Sequence, residues 1–230
     1  MLHQETSQLT RPTAQKVAAI EAAAGQPQPL SAALSTAGMS IRYARNAEIY
    51  GEGEPVDNVY KVVSGAVRTY KLLSDGRRQI GEFHIAGDVF GLEVGSERQF
   101  TAEAIADAVV LVAKRSSLVA LAVSDATLAS ELWTHTAREL RRTQDHLLVL
   151  GRKRAQERVA TFLLDMAGRG RSDIIVDLPM SRQDIADYLG LTIETVSRTL
   201  TRLEDDRAIE IPTSRRIVLR DKRALGHLNN

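Results

Sequence analysis

Glu194, Ser197, Arg198 and Thr201 stand at i, i+3, i+4 and i+7, the spacing that lines four side chains along one face of a helix. Their chemistry suits nucleic-acid bases. An arginine forks onto O6 and N7 of guanine, a glutamate accepts from N4 of cytosine, and a serine hydroxyl suits a base or a phosphate. At 100° per residue these four fall between about 100° and 200°, whereas Ile193, Val196, Leu200 and Leu203 fall at about 60°, 0°, 40° and −20°. One face is made for a core and the other for something outside it. Ile193, which opens the apolar arc, also joins Glu194, Ser197 and Arg198 as a candidate for base contact.

The residues just upstream supply a way to position that helix. Ser181 can accept a backbone N–H as N-cap, with Asp184 three residues on at capping-box spacing. Ile185, Ala186 and Leu189 then form an apolar stripe, Gly190 supplies a left-handed turn residue, and Thr192 caps the next helix. Helix, glycine turn and helix form the arrangement that lays one helix in the major groove of DNA. Taken alone the pattern also fits an ordinary helical hairpin with a solvated polar face. Two β-branched runs follow, Ala208–Ile211 and Arg216–Arg220, joined by Pro-Thr-Ser-Arg. A two-stranded wing after the second helix makes the combination specific. Candidate phosphate contacts are Ser181, Arg182, Thr192, Thr195, Thr201, Arg202, and Arg215 and Arg216 at the wing tip.

Composition excludes several other chemistries. The chain has 230 residues and no cysteine, which removes disulfides, thiolate metal sites and thiol nucleophiles. Its five histidines (His3, His84, His135, His146, His227) lack ligand spacing, so no metal site is expected. No nucleophile–base pair, metal motif or phosphate loop points to an enzyme. The Gly51/Gly53 pair is not a dinucleotide loop, because no helix-forming run follows it. Net charge is +1, but residues 151–230 hold 15 Lys+Arg against 12 Asp+Glu, leaving 15 against 17 for residues 1–150. The C-terminal part is the better phosphate-facing surface. No apolar run approaches the length of a membrane span and no signal segment is visible, so no membrane partner and a cytoplasmic location are expected.

Four regions follow along the chain. Residues 1–30 read as an N-terminal extension, with a helix-compatible stretch near Thr13–Ala24. Residues 31–115 read as a β-roll: Asn58–Val63, Ala66–Leu73 and Arg78–His84 are strand-like, and Asp75-Gly76 is a hairpin signal. Regular short strands of this kind suggest a double-sheet jelly roll. Residues 116–151 read as a dimerisation helix. Ala129, Trp133, Thr136, Leu140, Thr143, Leu147 and Leu150 alternate at spacings of 4 and 3, a heptad seam suited to a parallel homodimer; packing of the same stripe on the chain's own roll is the alternative. Gly151 is expected to interrupt the helix and serve as hinge. Residues 152–230 then form the winged helix-turn-helix, opening with an amphipathic helix of Ala155, Val159, Phe162, Leu163 and Met166 that ends at Gly168 and Gly170.

A β-roll, a long helix and a winged helix-turn-helix in that order resemble the Crp/Fnr superfamily of bacterial transcription regulators, over roughly residues 35–225. The Gly-Glu-Gly-Glu-Pro55 turn, Tyr60-Lys-Val-Val-Ser-Gly65, Gly76-Arg77-Arg78 and Gly87-Asp88-Val-Phe-Gly91 look like that family's repeated turns. Glu194-Thr-Val-Ser197-Arg198 is similar to the Glu-x-x-Ser-Arg element of the Fnr branch, and within it the chain looks most like the FixK group. The resemblance implies an α+β fold, a homodimer on palindromic double-stranded promoter DNA of TTGA-N6-TCAA type, Arg198 on the guanine, Glu194 on the opposite strand, and contact with RNA polymerase. It also implies an activator more than a repressor.

Departures from the family bear on effectors. Around Gly91-Leu92-Glu93, Arg98 is followed by Gln99-Phe100 where cyclic-nucleotide-binding members place a small hydroxyl residue, and Glu82, Glu93 and Glu97 add negative charge. An iron–sulfur cluster would need four thiolates. His84 is the roll's one candidate haem ligand. DNA binding with no cofactor and no small-molecule effector is the leading expectation. A roll that holds an unidentified ligand and switches DNA affinity is the alternative.

Overall fold

Side chains that alternate between two faces account for most of residues 38–114 in the computed structural model, which describes residues 29–170 and 172–229. The stretch Thr13–Ala24 lies outside them. The strands are β1 (Gly38–Tyr43), β2 (Glu48–Tyr50), β3 (Asn58–Ser64), β4 (Ala66–Leu72), β5 (Arg78–Ile85), β6 (Val89–Phe90), β7 (Thr101–Ala104) and β8 (Ala108–Lys114). They form two four-stranded sheets, β1-β8-β3-β6 and β2-β7-β4-β5, the double-sheet jelly roll. Between them Tyr50, Tyr60, Val62, Val67, Phe90 and Val110 form the core. Asp75-Gly76 lies in the turn of the β4–β5 hairpin, with Gly76 at φ 82° and Leu72 opposite Arg78.

The stretch read as the β-roll, residues 31–115, opens on a helix. Residues Pro29–Ala37 form helix α1, which buries Leu30 and Leu34 against Val59, Leu111 and Leu128. Four-residue spacing between two leucines was the available signal, too short to register as a period. After the roll come α2 (Arg115–Ser124) and α3 (Ala126–Arg152). The helical stretch therefore breaks at Asp125, whose carboxylate accepts the N–H groups of Thr127 and Leu128 and caps α3. With 27 residues, α3 is about 40 Å long.

Gly151 does not interrupt α3, which runs through it to Arg152. A single glycine costs roughly 1 kcal/mol against alanine, too little to stop a helix already propagated. The break falls at Lys153 and Arg154, both in extended conformation. Helix α4 (Ala155–Arg169) likewise passes through Gly168 and closes at Gly170, whose N–H bonds to Met166 O. Its buried face is Val159, Phe162, Leu163 and Met166 with Ala160 and Ala167, while Ala155 is half-buried.

The C-terminal module continues as β9 (Ile175–Asp177), α5 (Arg182–Leu189), α6 (Ile193–Asp205), β10 (Ile209–Thr213), β11 (Arg216–Leu219) and α7 (Lys222–Asn229). The wing has three strands rather than two, in the order β10-β11-β9, with Arg216 opposite Asp177. This module does not stand apart from the roll. Ala66, Ile80 and Phe83 of β4 and β5 share one core with Val149, Phe162, Ile185 and Leu189.

Candidate nucleic-acid interface

The cap of α5 is a reciprocal pair. Ser181 Oγ accepts from Asp184 N at 3.1 Å, and Ser181 N donates to Asp184 Oδ2 at 2.9 Å. At the other end Gly190 has φ 61° and ψ 40°, left-handed as a turn between crossing helices requires. A β-carbon there would also lie 3.5 Å from Arg158 Nη1 and 3.6 Å from Leu150 Cδ2, so the turn is backed by the end of α3. Thr192 Oγ1 accepts from Thr195 N at 3.2 Å to cap α6.

Helix α6 divides as its period requires. Val196, Leu200 and Leu203 are buried, together with Thr199. Thr199 lies between the two arcs, and no periodic signal distinguished it. Glu194, Arg198, Thr201 and Arg202 are exposed, Ser197 and Thr195 half-buried. Ile193 is 37% exposed, apart from the three buried apolar residues and beside Glu194. Backbone hydrogen bonding at the helix start and the Thr192 hydroxyl hold the Glu194 carboxyl below its ordinary range, so at neutral pH it accepts hydrogen bonds and donates none.

The wing arginines are exposed but paired. Arg216 Nε donates to Asp177 Oδ1 at 2.7 Å and its Nη2 to Oδ2 at 3.2 Å, while Arg215 Nη1 donates to the Pro179 carbonyl at 2.6 Å. Arg182 is half-buried at the start of α5. Along α3, Trp133, Leu140 and Leu147 are 77%, 59% and 69% exposed. Thr136 and Thr143 are exposed between them, Ala129 is exposed one turn before Trp133, and Leu150 is half-buried. Three large apolar side chains along one side of α3 thus stand open to water.

Three arginines join distant parts of the chain, and local sequence patterns missed them because their partners are far away. Arg68 of β4 donates to Asp184 Oδ1 at 2.6 Å and to Glu103 at 2.8 Å. Arg78 of β5 reaches Asp184 at 2.7 Å and Asp187 at 2.8 Å. Arg169, ending α4, pairs with Glu82 at 3.0 Å and Asp88 at 2.8 Å. Arg98 stays within the roll.

The fully buried Arg98 guanidinium lies 4.3 Å from the Tyr50 ring centroid and 5.4 Å from that of Tyr60. It donates to Gly91 O at 2.9 Å and approaches Glu93 at 3.5 Å. Gly91, at φ 81°, leaves room for it, since a β-carbon there would stand 2.9 Å from Arg98 Nη1. Between roll and α3 lies a cavity of about 550 Å³, walled by Ile80, Phe90, Leu92, Phe100, Glu82 and Glu139 among others. Burial, partly opposed by Arg169, pushes the Glu82 carboxyl up to about 7, and burial pushes His84 down to about 3. No cluster of three potential metal ligands and no helix long and apolar enough to cross a membrane occurs among the described residues.

Comparison with known proteins agrees with this architecture at both ends. Residues 40–125 match the cyclic nucleotide-binding domain family and residues 157–228 the Crp-like helix-turn-helix domain family. The chain is 52% identical to the nitrogen fixation regulation protein FixK of Azorhizobium caulinodans over 222 residues, covering 94% of this chain and 88% of that protein. It is 44% identical to FixK of Rhizobium meliloti over 188 residues, 82% and 86% of the two. The structure of FixK2 from Bradyrhizobium japonicum superposes with a TM-score of 0.81 at 54% identity, covering 84% of this chain and 98% of that one.

Proposed function

The chain belongs to the Crp/Fnr superfamily as a FixK-like transcription regulator with a helix-turn-helix DNA-binding module, and from that premise we propose that it is a homodimeric activator that binds a TTGA-N6-TCAA palindrome without a small-molecule effector. The observation that carries the reading is the split of α6: Glu194 and Arg198 face water while Val196, Leu200 and Leu203 are sealed in the core. A guanidinium and an ionised carboxylate one helical turn apart can each take a base edge in one major groove. Thr192, Thr195, Ser181, Arg182, Thr201, Arg202, Arg215 and Arg216 would hold the backbone on either side.

The stripe on α3 supports the dimer. Two copies joined in parallel along Ala129, Trp133, Thr136, Leu140, Thr143, Leu147 and Leu150 are related by a two-fold axis. Their reading helices then meet half-sites about one helical turn apart, roughly 34–36 Å. Residues 31–115, 116–151 and 152–230 would act as roll, dimerisation helix and DNA-binding domain, with the working hinge at Lys153 and Arg154 rather than Gly151. As an activator the protein would act in the cytoplasm and touch RNA polymerase.

A cyclic nucleotide does not fit the residues of the roll. Arg98, the cation beside Gly91-Leu92-Glu93, is spent on Gly91 O, Glu93 and two tyrosine rings. The Phe100 ring stands 3.0 Å from where a β-carbon of Gly81 would be, and Glu93 and Glu139 line the same cavity. A phosphate would meet carboxylates there. The experiment is a gel shift of ligand-free protein on TTGA-N6-TCAA DNA with a scrambled control and a salt series. Specific binding that weakens steeply with salt is expected. Arg198→Ala should cost about 1–3 kcal/mol and relax discrimination at one base pair. Full affinity in that variant would refute the assignment, and binding that needs an added ligand would refute effector independence.

A further inference from the structure

Arg68 and Arg78 have no place in a base-reading or phosphate-holding account, yet both end on the cap of α5. Asp184 divides its oxygens between two tasks. Oδ1 takes Arg68 Nη1 at 2.6 Å and Arg78 Nη2 at 2.7 Å. Oδ2 takes the Ser181 N–H at 2.9 Å and its hydroxyl at 2.7 Å. One buried carboxylate thus joins the β4–β5 hairpin of the roll to Ser181 at the DNA-facing end of the module. Arg78 also donates through Nε to Asp187 at 2.8 Å, so its planar fork spans two positions along α5 and resists rotation of that helix. Underneath, the Phe83 ring lies 5.2 Å from that of Tyr188. Arg169 ties the end of α4 to Glu82 and Asp88 of the same sheet region.

We propose that Arg68 and Arg78 are positioning residues for DNA recognition. Through Asp184 they fix the height and angle at which each module is held on its own roll, and so set the half-site spacing the dimer accepts. This rests on the reading of the protein as a dimer on a palindrome. One base pair more or less turns a half-site by roughly 35° and moves it by about 3.4 Å. A module clamped at two points along α5 cannot follow such a change. A module released from the clamp can.

The experiment measures affinities of the full-length protein for TTGA and TCAA half-sites separated by five, six and seven base pairs, at one salt concentration. The parent is expected to prefer the six-base-pair spacer by about 10-fold or more, within the range that one altered position in a site commands. Arg78→Gln, whose side chain is partly exposed, and Asp184→Asn, which keeps the shape of the cap, should each reduce that preference to about threefold or less. Arg78→Lys, which keeps the charge but not the fork, should restore part of it. Melting curves confirm that the variants are folded. An unchanged preference in both variants overturns the proposal, and so does an equal loss on all three spacers, which marks general destabilisation. A parent that binds no palindrome overturns the functional reading itself, and one that binds but ignores spacing overturns the clamp alone.

Discussion

Arg68 and Asp184 are 116 residues apart in the chain and 2.6 Å apart in space. Their side chains are 11% and 6% exposed, so the pair lies largely out of water. Two buried charges stabilise a fold only when geometry and further hydrogen bonds offset their desolvation. Here Glu103, Arg78 and Ser181 supply those bonds. Roll and DNA-binding module share an apolar core as well as this network.

That sharing predicts a large effect from one substitution remote from DNA. Arg68→Met keeps the aliphatic volume but leaves Asp184 and Glu103 with one cation fewer between them. Removing one partner of a buried pair costs about 3–5 kcal/mol. Urea unfolding followed by circular dichroism should show that loss as a single transition. Two separated transitions would mean that roll and module unfold independently.

The wing predicts the opposite kind of effect, on binding alone. Arg216 is held by Asp177, so a phosphate must compete with a carboxylate already in place. Asp177→Asn should strengthen binding to specific and scrambled DNA alike and steepen the dependence of affinity on salt. Arg216→Ala should weaken both and lower the salt slope by about one. Fluorescence anisotropy across a salt series measures both slopes.

Much of this arrangement was legible in the sequence because its determinants are local. Ser181 and Asp184 three apart, Gly190 in a turn, and the period of Val196, Leu200 and Leu203 each act within one or two helical turns, and each specified its element. Asp75-Gly76 did the same for the β4–β5 hairpin. Gly151 and Gly168 misled, since glycine signals a helix end only where no packing carries the helix past it. Strand β9, three residues long, exists because β11 offers it an edge. The interdomain arginines were invisible for a related reason. Asp184 read completely as a cap, and nothing near it in sequence announces that its second oxygen belongs to Arg68 and Arg78.

The seam on α3 predicts the assembly state. Leu140→Asp combined with Leu147→Asp places two charges on the exposed stripe, where each would face its own copy across a two-fold axis. Neither leucine is buried in the single chain, so the fold should persist while the dimer is lost. Sedimentation should give a monomer. Affinity for the palindrome should fall by about 100-fold or more, because the second half-site no longer binds from the same assembly. A dimer that survives both substitutions would move the interface elsewhere.

Two buried groups in the roll should oppose each other as pH falls. Glu82 is pushed from its ordinary 4.5 up to about 7, so the folded protein takes up a proton below pH 7 that the unfolded chain does not take up until about 4.5. Acidification from pH 7 to 5 therefore stabilises the fold through Glu82, by about 2 kcal/mol. His84, stacked on Phe90 at 4.7 Å, is pushed from 6.5 down to about 3. Its stabilising contribution is present above 6.5 and is lost as pH falls toward 3, because only the unfolded chain accepts the proton. Over the same interval this removes about 2 kcal/mol. The two slopes nearly cancel each other between pH 7 and 5, and His146, which burial also holds below its ordinary value, adds its own loss on acidification. Relative to the parent, His84→Gln should gain stability on acidification and Glu82→Gln should lose it, each by about 2 kcal/mol. Urea midpoints at the two pH values measure this, and variants that depart from the parent in the same direction would show that one of the two groups titrates normally in the folded state.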